Sequence, residues 1–172
     1  MKKWKKPDIQ ELFQKKDLAG LTKALSHPDL KVQWQAAGAL GQIGSEGVDY
    51  LIRGLKTRNK EIRIGIIEAL GSIGDARAVV PLTSQLHDSS NEVRWETALA
   101  LGEMRSVSAI EPLKKALHDA DKYVRYGAAL SLEKLSWVPE IPEEEALLLA
   151  ALQEWDEVEQ LGTSAITAVQ AS

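Results

Sequence analysis

The chain has 172 residues, no cysteine, an ordinary apolar share and a net charge of −4. These values exclude a disulfide scaffold, thiolate chemistry, a zinc site built on Cys and a disordered chain, and the length suffices for one domain with a real core. The missing cysteine fits a reducing cytoplasm. No apolar run is long enough to cross a bilayer, and the basic start MKKWKKPDIQ leads into no apolar stretch of the kind a secretory signal has. Charge is uneven: residues 1–25 hold seven Lys against three acids, whereas residues 139–172 hold eight acids and no Lys or Arg. Ends of opposite sign are either solvated surface or a means of head-to-tail contact and of attracting charged partners.

The first predicted elements are a short helix pair, PDIQELFQKK and DLAGLTKALS, with Asp8 and Asp17 as N-caps. Four nearly identical segments follow: VQWQAAGALGQIG from Val32, IRIGIIEALGSIG from Ile62, VRWETALALGEMR from Val93 and VRYGAALSLEKLS from Val124. Their starts lie 30, 31 and 31 residues apart, a period that marks a stacked-repeat solenoid. Apolar residues fall at the start and at +4, +8 and +11, as in Val32, Ala36, Leu40 and Ile43, which is one stripe of helical period. Small residues recur at +5 and +7, among them Ala37 and Ala39, Ala98 and Ala100, Ala129 and Ser131, and let neighbouring helices approach closely. Asp29, Asn59, Ser90 and Asp121 stand three residues before the starts as N-caps, and Gly44 and Gly74 stand where helices close in a left-handed conformation.

A second helix follows in each unit, with Ser45, Asp75 and Ser106 as caps; Pro81 and Pro112 place its true start nearby or bend it. After Leu135 the stretch SWVPEIP makes a turn. PEEEALLLAALQ then opens a helix with Pro142 at its first position and three Glu in its first turn, and EWDEVEQLG and TSAITAVQAS read as two more short helices. The expected architecture is all-α: a single solenoid domain over 1–172, with an opening pair at 1–28, regular units at 29–137 and an atypical capping end at 138–172.

The pattern Asp-x-x-Val-Arg-x-x-Ala-Ala-x-Ala-Leu-Gly-x-Ile-Gly resembles the HEAT-like repeats of the phycobilisome lyase type and of small bacterial and archaeal HEAT-repeat proteins. Arg63, Arg94 and Arg125 match that family's arginine position, and Gln33 departs from it. The resemblance implies a right-handed α-α superhelix of about five helix pairs, with the first helix of each unit on the concave face and positions +2, +3, +6 and +10 pointing into the groove. Applied here, it marks Trp34, Gln35, Ile64, Glu68, Trp95, Glu96, Leu99, Glu103, Tyr126 and Leu130 as a partner-binding set. The +2 ladder of Trp34, Ile64, Trp95 and Tyr126 lies off the main apolar stripe. Its side chains either anchor a partner or wedge between helices to finish the core.

The function that follows is a non-enzymatic, cytoplasmic protein–protein interaction scaffold. It needs no cofactor or metal and binds a protein or peptide segment that is both basic and apolar. The alternatives are a bilin lyase-like subunit and a nucleic-acid-binding HEAT-like protein. Glu68, Glu96 and Glu103 against Lys134 disfavour the latter, since a phosphate backbone needs clustered Lys and Arg, while Arg63, Arg94 and Arg125 are expected to engage the N-cap acids of neighbouring units. His27, His87 and His118 fall in inter-unit turns as solvated residues. None forms the His-Glu pair of the HEAT-repeat iron hydroxylase that acts on a translation factor. The glycines Gly41, Gly44 and Gly47 have the wrong spacing for a phosphate loop and are read as helix termination.

Overall fold

In each first helix the stripe of positions 0, +4 and +8 is driven out of water. Val32, Ala36 and Leu40, then Ile62, Ile66 and Leu70, then Val93, Thr97 and Leu101, then Val124, Ala128 and Leu132 are all fully buried or nearly so. Thr97 is the polar member of this series; its Oγ1 donates to the carbonyl of Val93 at 2.7 Å, so the hydroxyl enters the core already partnered. The computed structural model describes residues 6–152. Its helices are α1 (Ile9–Gln14), α2 (Leu18–Ala24), α3 (Leu30–Ile43), α4 (Val48–Gly54), α5 (Lys60–Ile73), α6 (Val79–Gln85), α7 (Asn91–Glu103), α8 (Ile110–Ala116), α9 (Lys122–Lys134) and α10 (Pro142–Ala151). They form five consecutive pairs, and the first members stack in order, α1 on α3, α3 on α5, α5 on α7 and α7 on α9.

The second helices close the other side of the same core with Leu51 and Leu55, Val79 and Leu82, Leu113 and Leu117, and Leu147 and Ala151. Burying one such Leu or Val contributes about 1.5–3 kcal/mol, and the stripe recurs in the four regular units, so stability is spread along the stack. The architecture is therefore an α-solenoid. The two helices expected within residues 153–172 lie outside the described residues.

The helix ends follow the expected caps in part. Asp8, Asp17, Asp29, Asn59 and Asp121 each accept a backbone N–H of the following first turn, and Pro142 opens α10. Ser90 does not cap through its side chain; its hydroxyl turns to Glu92 instead. Of the proposed second-helix caps only Asp75 works as one, accepting from the N–H of Arg77 at 3.0 Å. Ser45 lies inside a 3-10 turn at Gly44–Gly47, and Ser106 shares its hydroxyl with Ser108. Such 3-10 turns precede α4, α6 and α8, which places Pro81 and Pro112 at the third residue of their helices. Those are positions where no intrahelical N–H is needed.

Each first helix of the regular units ends at a residue of positive φ: Gly44 at 78°, Gly74 at 69°, Arg105 at 50° and Ser136 at 54°. Glycine enters this region freely, whereas a residue with a Cβ is strained there by about 1 kcal/mol. Arg105→Gly should therefore stabilise the protein by about 1 kcal/mol, a rise of about 3 °C in melting temperature for a chain of this size. An unchanged or lower midpoint in a thermal melt would show that the arginine's own contacts outweigh the strain.

Candidate partner-binding face

The exposed side of the first helices carries all ten residues singled out from the sequence. Trp34 is 50% exposed, and Trp95 and Tyr126 are each 39% exposed. Ile64, Glu96, Leu99 and Leu130 are half-buried, and Gln35, Glu68 and Glu103 are exposed. The two readings of the tryptophan ladder turn out to be one arrangement. Trp34 leans across from α3 onto Gly65 of α5, where an added Cβ would lie 2.6 Å from Cζ3 of the indole. Trp95 leans from α7 onto Gly127 of α9 through the other edge of its ring, with Cδ1 at 2.9 Å from such a Cβ. Each indole thus lies against the glycine of the next unit, Trp34 through its six-membered ring and Trp95 through Cδ1 and Nε1, while much of the residue stays exposed. The seat restricts the ring, and its exposed part is available for contact.

The seats depend on how near the helices come, and that is set by a second series. Gly41 approaches Ala69, Gly71 approaches Ala100 and Gly102 approaches Ser131; a Cβ on these glycines would sit 3.1, 2.9 and 2.5 Å from the nearest atom. The +9 glycine of one unit meets the +7 small residue of the next. Ser131 adds an interhelical hydrogen bond, donating to the carbonyl of Ala98 at 2.8 Å. Glu133 holds the +9 place in α9 and is exposed, so the series ends there. Of the three glycines read as helix terminators, only Gly44 has positive φ; Gly41 is a packing residue, and Gly47 lies against the carbonyl of Leu40.

Two clefts flank Trp34. One, of about 420 Å³, runs between α3 and α5 and is bordered by Ala37, Gly38, Gln42, Glu68, Ala69 and Ser72. The other, of about 670 Å³, lies towards α1 and is bordered by Lys6, Asp8, Phe13, Gln35 and Gln42. Farther along, Glu103 is neutralised by an ion pair with Lys134. Among the described residues neither Glu68 nor Glu96 has an ion pair. Partial burial, together with the negative charge of Glu68, pushes the Glu96 carboxyl above the ordinary carboxylate range. The middle of the face is therefore an uncompensated acidic patch with an aromatic cleft on one side. On the other side stand the apolar and aromatic side chains of Trp95, Leu99, Tyr126 and Leu130.

The sequence profile described as HEAT repeats matches residues 18–94 and 79–167. The chain belongs to the HEAT-repeat family. No curated protein matches it. Among solved structures it is similar to human deoxyhypusine hydroxylase in complex with glycerol, at 20% identity and a TM-score of 0.66 over 78% of this chain and 51% of that one. It is also similar to an engineered protein, at 24% identity and a TM-score of 0.55 over 94% of this chain and 78% of that one. The chain spans about half the length of the hydroxylase, and at these identities the likeness is one of fold.

The loops of the HEAT units hold a ladder that the sequence disclosed only in part. Arg63 places Nε 2.8 Å from Asp88 Oδ2, donates from Nη2 to Oδ1 at 2.9 Å, and donates from Nη1 to the carbonyl of Thr57 at 2.8 Å. Arg94 repeats this with both oxygens of Asp119 and the carbonyl of Asp88, and Arg125 donates to the carbonyl of Asp119. The acids engaged are not the N-caps but residues two positions earlier. Each also accepts the N–H of the following cap residue, Ser90 or Asp121. Burial pushes the Asp88 and Asp119 carboxyls up, but those N–H groups and the guanidinium outweigh it and hold both below the usual range. In the first HEAT unit Gln33 and His27 stand in: Gln33 donates to the carbonyl of His27, and Nδ1 of His27 accepts the N–H of Asp29. His27 is thus a buried structural residue rather than a solvated one. His87 and His118 are exposed beside the acids of the ladder.

Proposed function

We propose that the protein is a non-catalytic scaffold of the cytoplasm whose first-helix face captures a basic and apolar segment of a partner protein. The observation that carries this reading is the row of half-exposed aromatics, two of them restricted by glycine seats. Large rings restricted before binding bury much area at little entropic cost, the property of residues that dominate interfaces. Glu68 and Glu96 set the partner's sign. The same charges disfavour nucleic acid, since Lys134 is tied to Glu103, and Arg63 and Arg94 are committed to the loop ladder. The histidines support a non-catalytic role: His87 and His118 are followed by carboxylates that serve the ladder, and His27 completes a turn.

The test is capture from cell extract with the full chain as bait. Trp34→Ala combined with Trp95→Ala should weaken capture at least tenfold while circular dichroism shows unchanged helix, because both residues are substantially exposed. Undiminished capture by the double variant would place the binding surface elsewhere.

A further inference from the structure

Among the described residues, Gly38 is the glycine of the first helices that no neighbour requires. It lies in the interior of α3, where glycine weakens a helix relative to alanine. A Cβ on Gly65, Gly71, Gly102 or Gly127 would collide with a neighbour and one on Gly41 would press on Ala69, whereas around Gly38 nothing among the described residues lies within 4 Å of such an atom. Its φ is not positive. What Gly38 does have is position. It borders the clefts on both sides of Trp34, and its counterparts at +6 in the third and fourth units, beside Trp95, are Leu99 and Leu130. A stability loss that packing does not explain, at the rim of a cleft, is the signature of space kept for a ligand.

The borders of the α3–α5 cleft say what that ligand is. One end is the indole of Trp34, whose face attracts cations. Along the wall stand Glu68, without an ion pair among the described residues, and the polar residues Gln42 and Ser72; among the described residues no Lys or Arg borders the cleft. Glu96 adds negative potential from α7, near enough to Glu68 for the two to repel. We propose that this cleft is a subsite for one basic side chain of the partner, a lysine or arginine. Its alkyl stem passes over Gly38, its charged head stacks on Trp34, and Glu68 answers its charge. The subsite deepens the reading of the first-helix face as partner-binding and rests on it.

The experiment uses the full chain and a set of nonapeptides, each with one Arg and two Leu at varied spacing on a Gly/Ser background, with citrulline counterparts that keep the shape and lose the charge. Calorimetry should find an Arg peptide bound at least tenfold more tightly than its citrulline twin, with the preference removed by Glu68→Gln. Gly38→Ala should raise the melting temperature by about 2–3 °C and yet weaken the Arg peptide about tenfold; Gly38→Leu should abolish binding. Equal affinity of the two series, no binding of either at millimolar concentration, or unchanged affinity in Gly38→Ala overturns the subsite. Loss of capture in the Trp34, Trp95 double variant would then still support the wider face. Self-association in the ultracentrifuge that disappears with Glu68→Gln would assign the cleft to a second copy of this chain, through its Lys-rich start, and overturn the separate partner.

Discussion

Gly102→Ala is expected to destabilise the protein by about 2 kcal/mol, although alanine is the better helix former. The added methyl would lie 2.5 Å from Oγ, 2.7 Å from Cβ and 2.9 Å from Cα of Ser131. None of these atoms is the end of a flexible side chain. The Cα belongs to the backbone of α9, and the hydroxyl is held by the carbonyl of Ala98. Helix α9 must move away from α7, which also lifts Gly127 from beneath Trp95. Urea unfolding measures the loss, and the double variant Gly102→Ala, Ser131→Gly should recover part of it, since the two sites are in contact and couple. The sign is opposite to that expected for Gly38→Ala. The same chemical change, in helices of the same kind, thus separates glycines kept for packing from the one kept for space. A stabilised Gly102→Ala protein would mean that the helices are not held at the observed spacing.

Asp119→Ala should lose about 3 kcal/mol. Arg94 and Asp119 are only 16% and 13% exposed in their side chains, so removing the acid strands a guanidinium that is largely out of water and frees the N–H of Asp121 as well. The pH dependence follows from the depressed carboxyl. Its folded pKa lies below its unfolded value, so its contribution is complete above about pH 4, the unfolded range of an aspartate, and is lost as pH falls through the folded value. Urea midpoints at pH 7 and pH 3 should therefore differ more for the wild-type chain than for Asp119→Ala. An equal drop in both would show that the ladder carries no acid-sensitive stability.

The fold was legible because its signals are local. A stripe at 0, +4 and +8, an aspartate or asparagine three residues ahead of it and a glycine behind it specify a helix within some fifteen residues, and Asp29, Asn59, Asp121 and Gly74 act as read; Gly44 has a positive φ, but its ψ of −140° is outside the left-handed helical region and it opens a 3-10 turn. Serine was a poorer guide: the hydroxyls of Ser90 and Ser106 find nearer partners in Glu92 and Ser108 than the backbone they were expected to cap. What stayed hidden joins residues one unit apart. The arginines were expected to pair with N-cap acids, but the carboxylates that meet them are 25 residues on and two places before the caps. Nothing in the sequence alone says that the ring of Trp34 meets Gly65, so the ladder could be read as core or as surface. The signal was present in the pairing of Trp at +2 with Gly at +3 one unit later, visible only once units are compared two at a time.

That pairing changes what counts as the building block. Rings on α3 and α7 rest on bare backbone in α5 and α9, whereas the corresponding +2 and +3 places of the intervening α5 and α7 hold Ile64 and Glu96. An arrangement that alternates in this way has an effective module about sixty residues long, twice what the hydrophobic pattern suggests. Excising a single unit would bring Trp34 onto the carboxylate-bearing side chain of Glu96 and leave it without a perch. Arrays grown or shortened from this one keep their aromatic geometry when units are added or removed by twos.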